Sequence, residues 1–158
     1  MDTSSTLLGI GLLMAFIAPV GYLLVDQSRR EKARMKTLLA AASRLHLELS
    51  KTEILTGLYL GLDENQKKLL VITPEIKKKP EVLELNGSKV TLLKKYHKDH
   101  STASIDELRT VVLQIDSQKS STGLNFYQSD SDPVTEKGLR LQKAMEWEKL
   151  LQDFQKIK

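Results

Sequence analysis

The run "LLGIGLLMAFIAPVGYLLV", Leu7 to Val25, constrains the chain most, because no charged side chain interrupts it. At about 1.5 Å per residue, a helix over these 19 positions is roughly 28 Å long, close to the hydrocarbon thickness of a bilayer. A secretory signal would carry a basic n-region, a shorter apolar stretch and a small-residue cleavage site. Residues 1–6 instead carry Asp2 and no Lys or Arg. A cleaved signal and a buried core helix are therefore weaker alternatives to a retained transmembrane helix over 7–25. Pro19 and Gly21 could bend such a helix, which a membrane helix tolerates.

The flanking charge gives the run a direction. Arg29, Arg30, Lys32, Arg34 and Lys36 follow it closely, and positive flanks stay cytoplasmic. The expectation is a single-pass protein of the cytoplasmic (inner) membrane, N-terminus outside and C-terminal domain in the cytoplasm. The same cations would lie beside an anionic leaflet at about 1 kcal/mol each. Their plainer role is topology; lipid recognition is the alternative. Gly11, Ala15 and Ala18 fall at i, i+4 and i+7, a small-residue ridge through which membrane helices can approach. A protein partner or a second copy could use it, although Gly and Ala are common in such helices anyway.

The expected organisation is a short tail over 1–6, the transmembrane helix over 7–25, a basic juxtamembrane helix over 26–45 and a compact domain over 46–158. The stretch "QSRREKARMKTLLAAASRL" has no Gly or Pro and continues the helix to about Arg44, with Leu38, Leu39, Ala42 and Leu45 as an apolar stripe. Ser50 with Glu53 fits a capping box and predicts a short helical turn. The period then changes to two. Leu58, Leu60 and Leu62 point one way and Tyr59 the other, "DENQ" reads as a turn, and "KKLLVIT" returns as a strand.

Beyond a loop bracketed by Pro74 and Pro80, strands are expected at Val82–Leu85 and Lys89–Tyr96. Asn86-Gly87 between them is either a hairpin turn or a bend in one long strand. "IDELRTVVLQI" and "GLNFY" are further strands. Asp132 as N-cap and Pro133 as first helical residue open the last helix. Leu141, Ala144, Trp147, Leu151 and Phe154, with Leu150, form its apolar stripe. Trp147, the only Trp, anchors that helix on the sheet; stacking on a ligand is the alternative.

This order resembles a group of small, single-pass bacterial membrane proteins with a PH-like cytoplasmic domain. The residues that carry it are "SKTEILTGLYLGLDENQKKLLVI", "EVLELNGSKVTLLKKY", "IDELRTVVLQI", "LNFYQSDSD" and "LQKAMEWEKLL", spread over most of 45–155. The resemblance implies an α+β fold. In it, a transmembrane helix runs into a juxtamembrane helix, followed by a small antiparallel PH-like curved sheet capped by the C-terminal amphipathic helix. It also implies structural roles for Gly61-Leu62-Asp63, the Asn125-Phe126-Tyr127 strand and Trp147, and it brings no catalytic residue.

The motifs of chemistry are sparse. His97 and His100 form H-x-x-H around Asp99, but in a loop among lysines, which repel a metal cation. His46 reads as a surface residue near the end of the first helix. Asp63-Glu64 and Asp106-Glu107 read as a turn and a strand start. The chain has no Cys, no Gly-rich phosphate loop, no G-x-S-x-G and no H-E-x-x-H. Neither a cofactor nor a metal is expected. Aromatics at 5% argue against a stacking platform for nucleic acid. The function expected is a non-enzymatic, membrane-anchored binding or adaptor protein, an accessory subunit of a membrane complex. The alternative is an anionic-lipid sensor using the flank with Lys77–Lys79 or Lys94, Lys95 and Lys98.

Overall fold

The computed structural model describes residues 29–74, 79–97, 104–117 and 120–156. Helix α1 (29–44) is followed by β1 (Lys51–Leu55), β2 (Leu58–Asp63), β3 (Lys68–Ile72) and β4 (Glu81–Glu84). Then come β5 (Lys89–Tyr96), β6 (Leu108–Asp116), β7 (Ser121–Gln128) and α2 (Lys137–Lys156). All neighbouring strands run antiparallel, in a four-stranded sheet β1-β2-β3-β4 and a three-stranded sheet β5-β6-β7.

The alternation in β2 and β3 explains the layering. Leu58, Leu60, Leu62, Leu69 and Val71 point into a core shared with β6, β7 and α2, where Val111, Leu113, Phe126 and Trp147 are buried. Tyr59, Leu70 and Ile72 point the other way, onto Leu38, Ala42 and Leu47. The first sheet is thus a middle layer, apolar on both faces, which is why every residue of β2 is buried. Gly61 serves this arrangement. A Cβ there would come within 2.6 Å of a Leu49 methyl, so the chain beyond α1 lies directly on the strand.

Helix α1 ends in a Schellman arrangement. His46 adopts φ 53, and the Leu47 amide donates to the Ala42 carbonyl at 2.9 Å. Asp63, fully buried, then ties this corner to the β2–β3 turn. Its carboxylate accepts from the amides of Glu48 and Gln66, each at 2.8 Å. Ser50 opens no helix: its hydroxyl donates to the Leu62 carbonyl as β1 begins. Asn86-Gly87 forms neither a hairpin nor a strand bend. With Gly87 at φ 67 and the Ser88 amide donating to the Leu85 carbonyl, it carries the chain from one sheet to the other.

Two broader expectations are corrected as well. The single small curved sheet is replaced by two antiparallel sheets, because Asn86-Gly87 divides the strands where one continuous sheet was expected. The transmembrane helix, with the single-pass placement in the cytoplasmic membrane, N-terminus outside, is not upheld. No helix among the described residues is long and apolar enough to cross a membrane. In place of an apolar surface, α1 has six cations and one acid, and it spends its buried side chains on the sheet. Residues 7–25, with Gly11, Ala15 and Ala18, lie outside the described residues.

Candidate functional site

The sheets are held apart at one margin, and the two edge strands β4 and β7 line the resulting cleft. Its wider part, about 290 Å³, reaches from Gly57 and Val71 to Thr122–Asn125, with Glu81 of β4 on its wall. A narrower part, about 200 Å³, continues between Val82–Glu84 and Ile115, Ser117, Ser120 and Thr122. Among the described residues, β4 pairs only with β3 and β7 only with β6, so each strand keeps one edge without a strand partner. Its polar lining combines hydroxyls and amides, Thr56, Thr73, Thr122, Asn125, Gln128 and Ser131, with the charged Lys79, Glu81, Asp132 and Arg140.

Arg140 fixes the end of this cleft. It is 2% exposed and reaches back from α2, its Nε donating to Glu136 Oε2 at 2.8 Å. Nη1 meets Asp132 Oδ1 at 2.8 Å and the Phe126 carbonyl at 3.2 Å. Asp132 is therefore not a helix cap. Its second oxygen accepts from the Gln128 amide, and a 3-10 turn over Val134–Glu136 leads into α2. The guanidinium bolts the end of β7 to the start of α2, and two carboxylates already answer its charge. The sequence signal for it was the Glu136–Arg140 spacing, an acid one turn before a base. Beside it, burial and then the Asp132 charge push the Tyr127 hydroxyl above its ordinary range.

The edge beside α2 is already taken. Glu148 accepts from the Leu92 amide at 2.9 Å, Gln152 donates to the Val90 carbonyl at 3.2 Å, and Gln155 reaches the Ser88 hydroxyl. These side chains satisfy β5 along the groove that a partner strand would need. Trp147 is fully buried and Lys51 Nζ lies 5.7 Å from its ring centre, so that face is occupied.

At the opposite end of β7, Asp116 closes the β6–β7 turn. Hydrogen bonds from Ser121 and Gln114 lower its pKa. On the far side of the molecule, Lys143 meets Glu53 at 3.3 Å, and that carboxylate raises the ammonium above its ordinary value.

The predicted basic residues separate. Arg29, Arg30, Lys32, Arg34 and Lys36 all lie on α1, and Lys79 stands beside that helix. Lys94 and Lys95 belong to β5, in the other sheet, across the shared core from α1. Lys77, Lys78, Lys98, Asp99 and His100 lie outside the described residues, so the H-x-x-H pair is represented only by His97, exposed at the end of β5. Among the described residues no three His, Asp or Glu side chains gather as a metal site. Asp106 and Glu107 form a 3-10 turn capped by Ser104, whose Asp106 carbonyl accepts from buried Lys137. No protein family, curated protein or solved structure matches this chain.

Proposed function

We propose that the chain is a non-enzymatic binding module, an adaptor that takes an extended segment of a partner protein between β4 and β7. The observation that carries this reading is the shared cleft of two edge strands. Each presents backbone donors and acceptors without a strand partner, and a third strand laid between them would pair as it enters. The competing edge on β5 is satisfied by α2. The polar lining suits a segment chosen mainly by its backbone, with small or polar side chains alternating towards Thr122 and Asn125. Kinship with PH-like domains is part of the proposal, supported by the strand order and the C-terminal helix.

The test is selection of peptides from a random display library, followed by amide chemical-shift mapping on the full chain. The reading expects shifts along 81–84 and 121–128. It expects about tenfold or greater loss of affinity in Thr122→Arg, which fills the cleft from a partly exposed position. Selected peptides that leave both strands unshifted, or that bind Thr122→Arg as well as the parent, sink it. The second reading, an anionic-lipid sensor, is favoured by the +5 surplus of residues 29–44. Salt-sensitive binding to phosphatidylserine vesicles, unaffected by Thr122→Arg, would favour it instead.

A further inference from the structure

A second surface, which shares only Lys79 with the cleft, lies along one flank of α1. Leu38 and Ala42 turn their side chains onto the first sheet, and the flank next to them is built from Ala33, Thr37, Ala40 and Ala41. Opposite stand Ile72 and Pro80. Between them runs a groove of about 780 Å³, lined also by Leu45, which is 41% exposed.

The rim is of one sign. Lys36, Arg44 and Lys79 all line the groove, all are exposed, and among the described residues no acid lines it with them. No described acid pairs with any of the three. Three cations held around an apolar trough raise its potential and call for an apolar body with acidic margins.

We propose that this groove docks an acidic amphipathic helix of a protein partner. The dimensions choose a helix. From residue 33 to 44 the groove follows α1 for about 17 Å, some three helical turns. A docked helix would place apolar side chains at i, i+3 or i+4, i+7 and i+11 into the trough, the spacing of helix-in-groove recognition. The small side chains of α1 let its axis come close, towards about 8 Å. Acidic residues flanking the apolar row then meet Lys36 and Arg44 on one side and Lys79 on the other. A flat anionic membrane could satisfy the charges but would leave the concave apolar trough unfilled.

The test uses the full chain and a synthetic 16-residue amphipathic peptide, with Leu on one face and Glu on both flanks, followed by fluorescence anisotropy. Saturable binding is expected, weakened about tenfold or more when the flanking Glu become Lys. Ala40→Glu should abolish it. Ala40 is exposed, so the fold should persist, and circular dichroism checks this. A charge swap guards against a folding artefact: Lys36→Glu with Arg44→Glu should prefer the Lys-flanked peptide. Thr122→Arg should leave binding unchanged, which separates this surface from the cleft. Failure of the parent chain to bind the Glu-flanked peptide overturns the proposal. So does equal binding of both peptides, or indifference to Ala40→Glu. Binding of phosphatidylserine vesicles in place of the peptide, lost in Ala40→Glu, would assign the surface to lipid and overturn it as well.

Discussion

The two faces of the first sheet are both apolar, yet they are covered very differently. Inward, Leu58, Leu60, Leu62, Leu69 and Val71 meet side chains from β6, β7 and α2 in one continuous core. Outward, Tyr59, Leu70 and Ile72 meet one helix, of which only Leu38 and Ala42 are buried, with Leu47 just beyond its end. Leu39 remains 51% exposed. The inner core cannot open without parting several elements at once. The outer layer rests on Leu38, Ala42 and Leu47, with Ala41 and Leu49 beside them, the His46 cap and the Asp63 tie. It can open by itself while the sheets stay paired, so the protein should have two stabilities rather than one.

The sharpest way to break this comparison is Trp147→Ala. Removing the largest buried side chain should cost about 3–5 kcal/mol and lower the denaturation midpoint of the whole chain. Protection against hydrogen exchange should fall together in β6, β7 and α2. Loss confined to α2 would show that the inner core is not one unit.

Leu38→Ala asks the converse question. A buried Leu→Ala change costs about 2–5 kcal/mol where the surroundings must stay assembled. Here α1 can leave instead, so the cost is capped by the free energy that docks the helix. The expected result is faster exchange over 29–44, with β6 and α2 protected as before. If all amides accelerate equally, the outer layer belongs to the same cooperative unit and the contrast fails.

The parts that were legible from sequence are those where one physical pattern dominates locally. The period-two leucines of β2, their separation from Tyr59, and the stripe through Ala144, Trp147 and Leu151 follow from side-chain geometry alone. What was hidden depends on partners distant in sequence. Asp63 looks like a turn residue until the Glu48 amide arrives from the end of α1. His46 carries no mark of the left-handed conformation that a Gly would announce. The division between sheets at Asn86-Gly87 shows only in the pairing of β4 with β3 and of β5 with β6, which the dipeptide itself does not announce. The cleft was equally invisible: Thr122 and Asn125 look like ordinary strand residues, and they become a lining only because no described strand lies between β4 and β7. The apolar run and its basic flank spoke clearly of a membrane, yet the described part of that flank folds as a docked helix.

The smallest change sharpens the contrast from the other direction. The inner core is the more extensively packed layer although it contains polar atoms with no partner among the described residues: Tyr127 Oη, Trp147 Nε1 and Arg140 Nη2. Tyr127→Phe removes one of them and keeps the ring over which Lys137 Nζ sits at 5.8 Å. A buried hydroxyl without a hydrogen bond is a net cost, so the variant should gain about 1 kcal/mol in urea denaturation. It should also change the alkaline limb. The native hydroxyl has a raised pKa, from burial first and Asp132 second. Its protonated form is therefore favoured by folding, and that contribution is complete below the ordinary value of about 10. It disappears as pH climbs from there through the native value. The parent chain should lose stability over that interval, and Tyr127→Phe should lose less. Because this side chain belongs to the inner core alone, α1 exchange measured at neutral pH should be the same in both proteins. A Tyr127→Phe protein no more stable than its parent would mean that the hydroxyl has a partner, and a change in α1 exchange would mean that the two faces of the sheet are coupled after all.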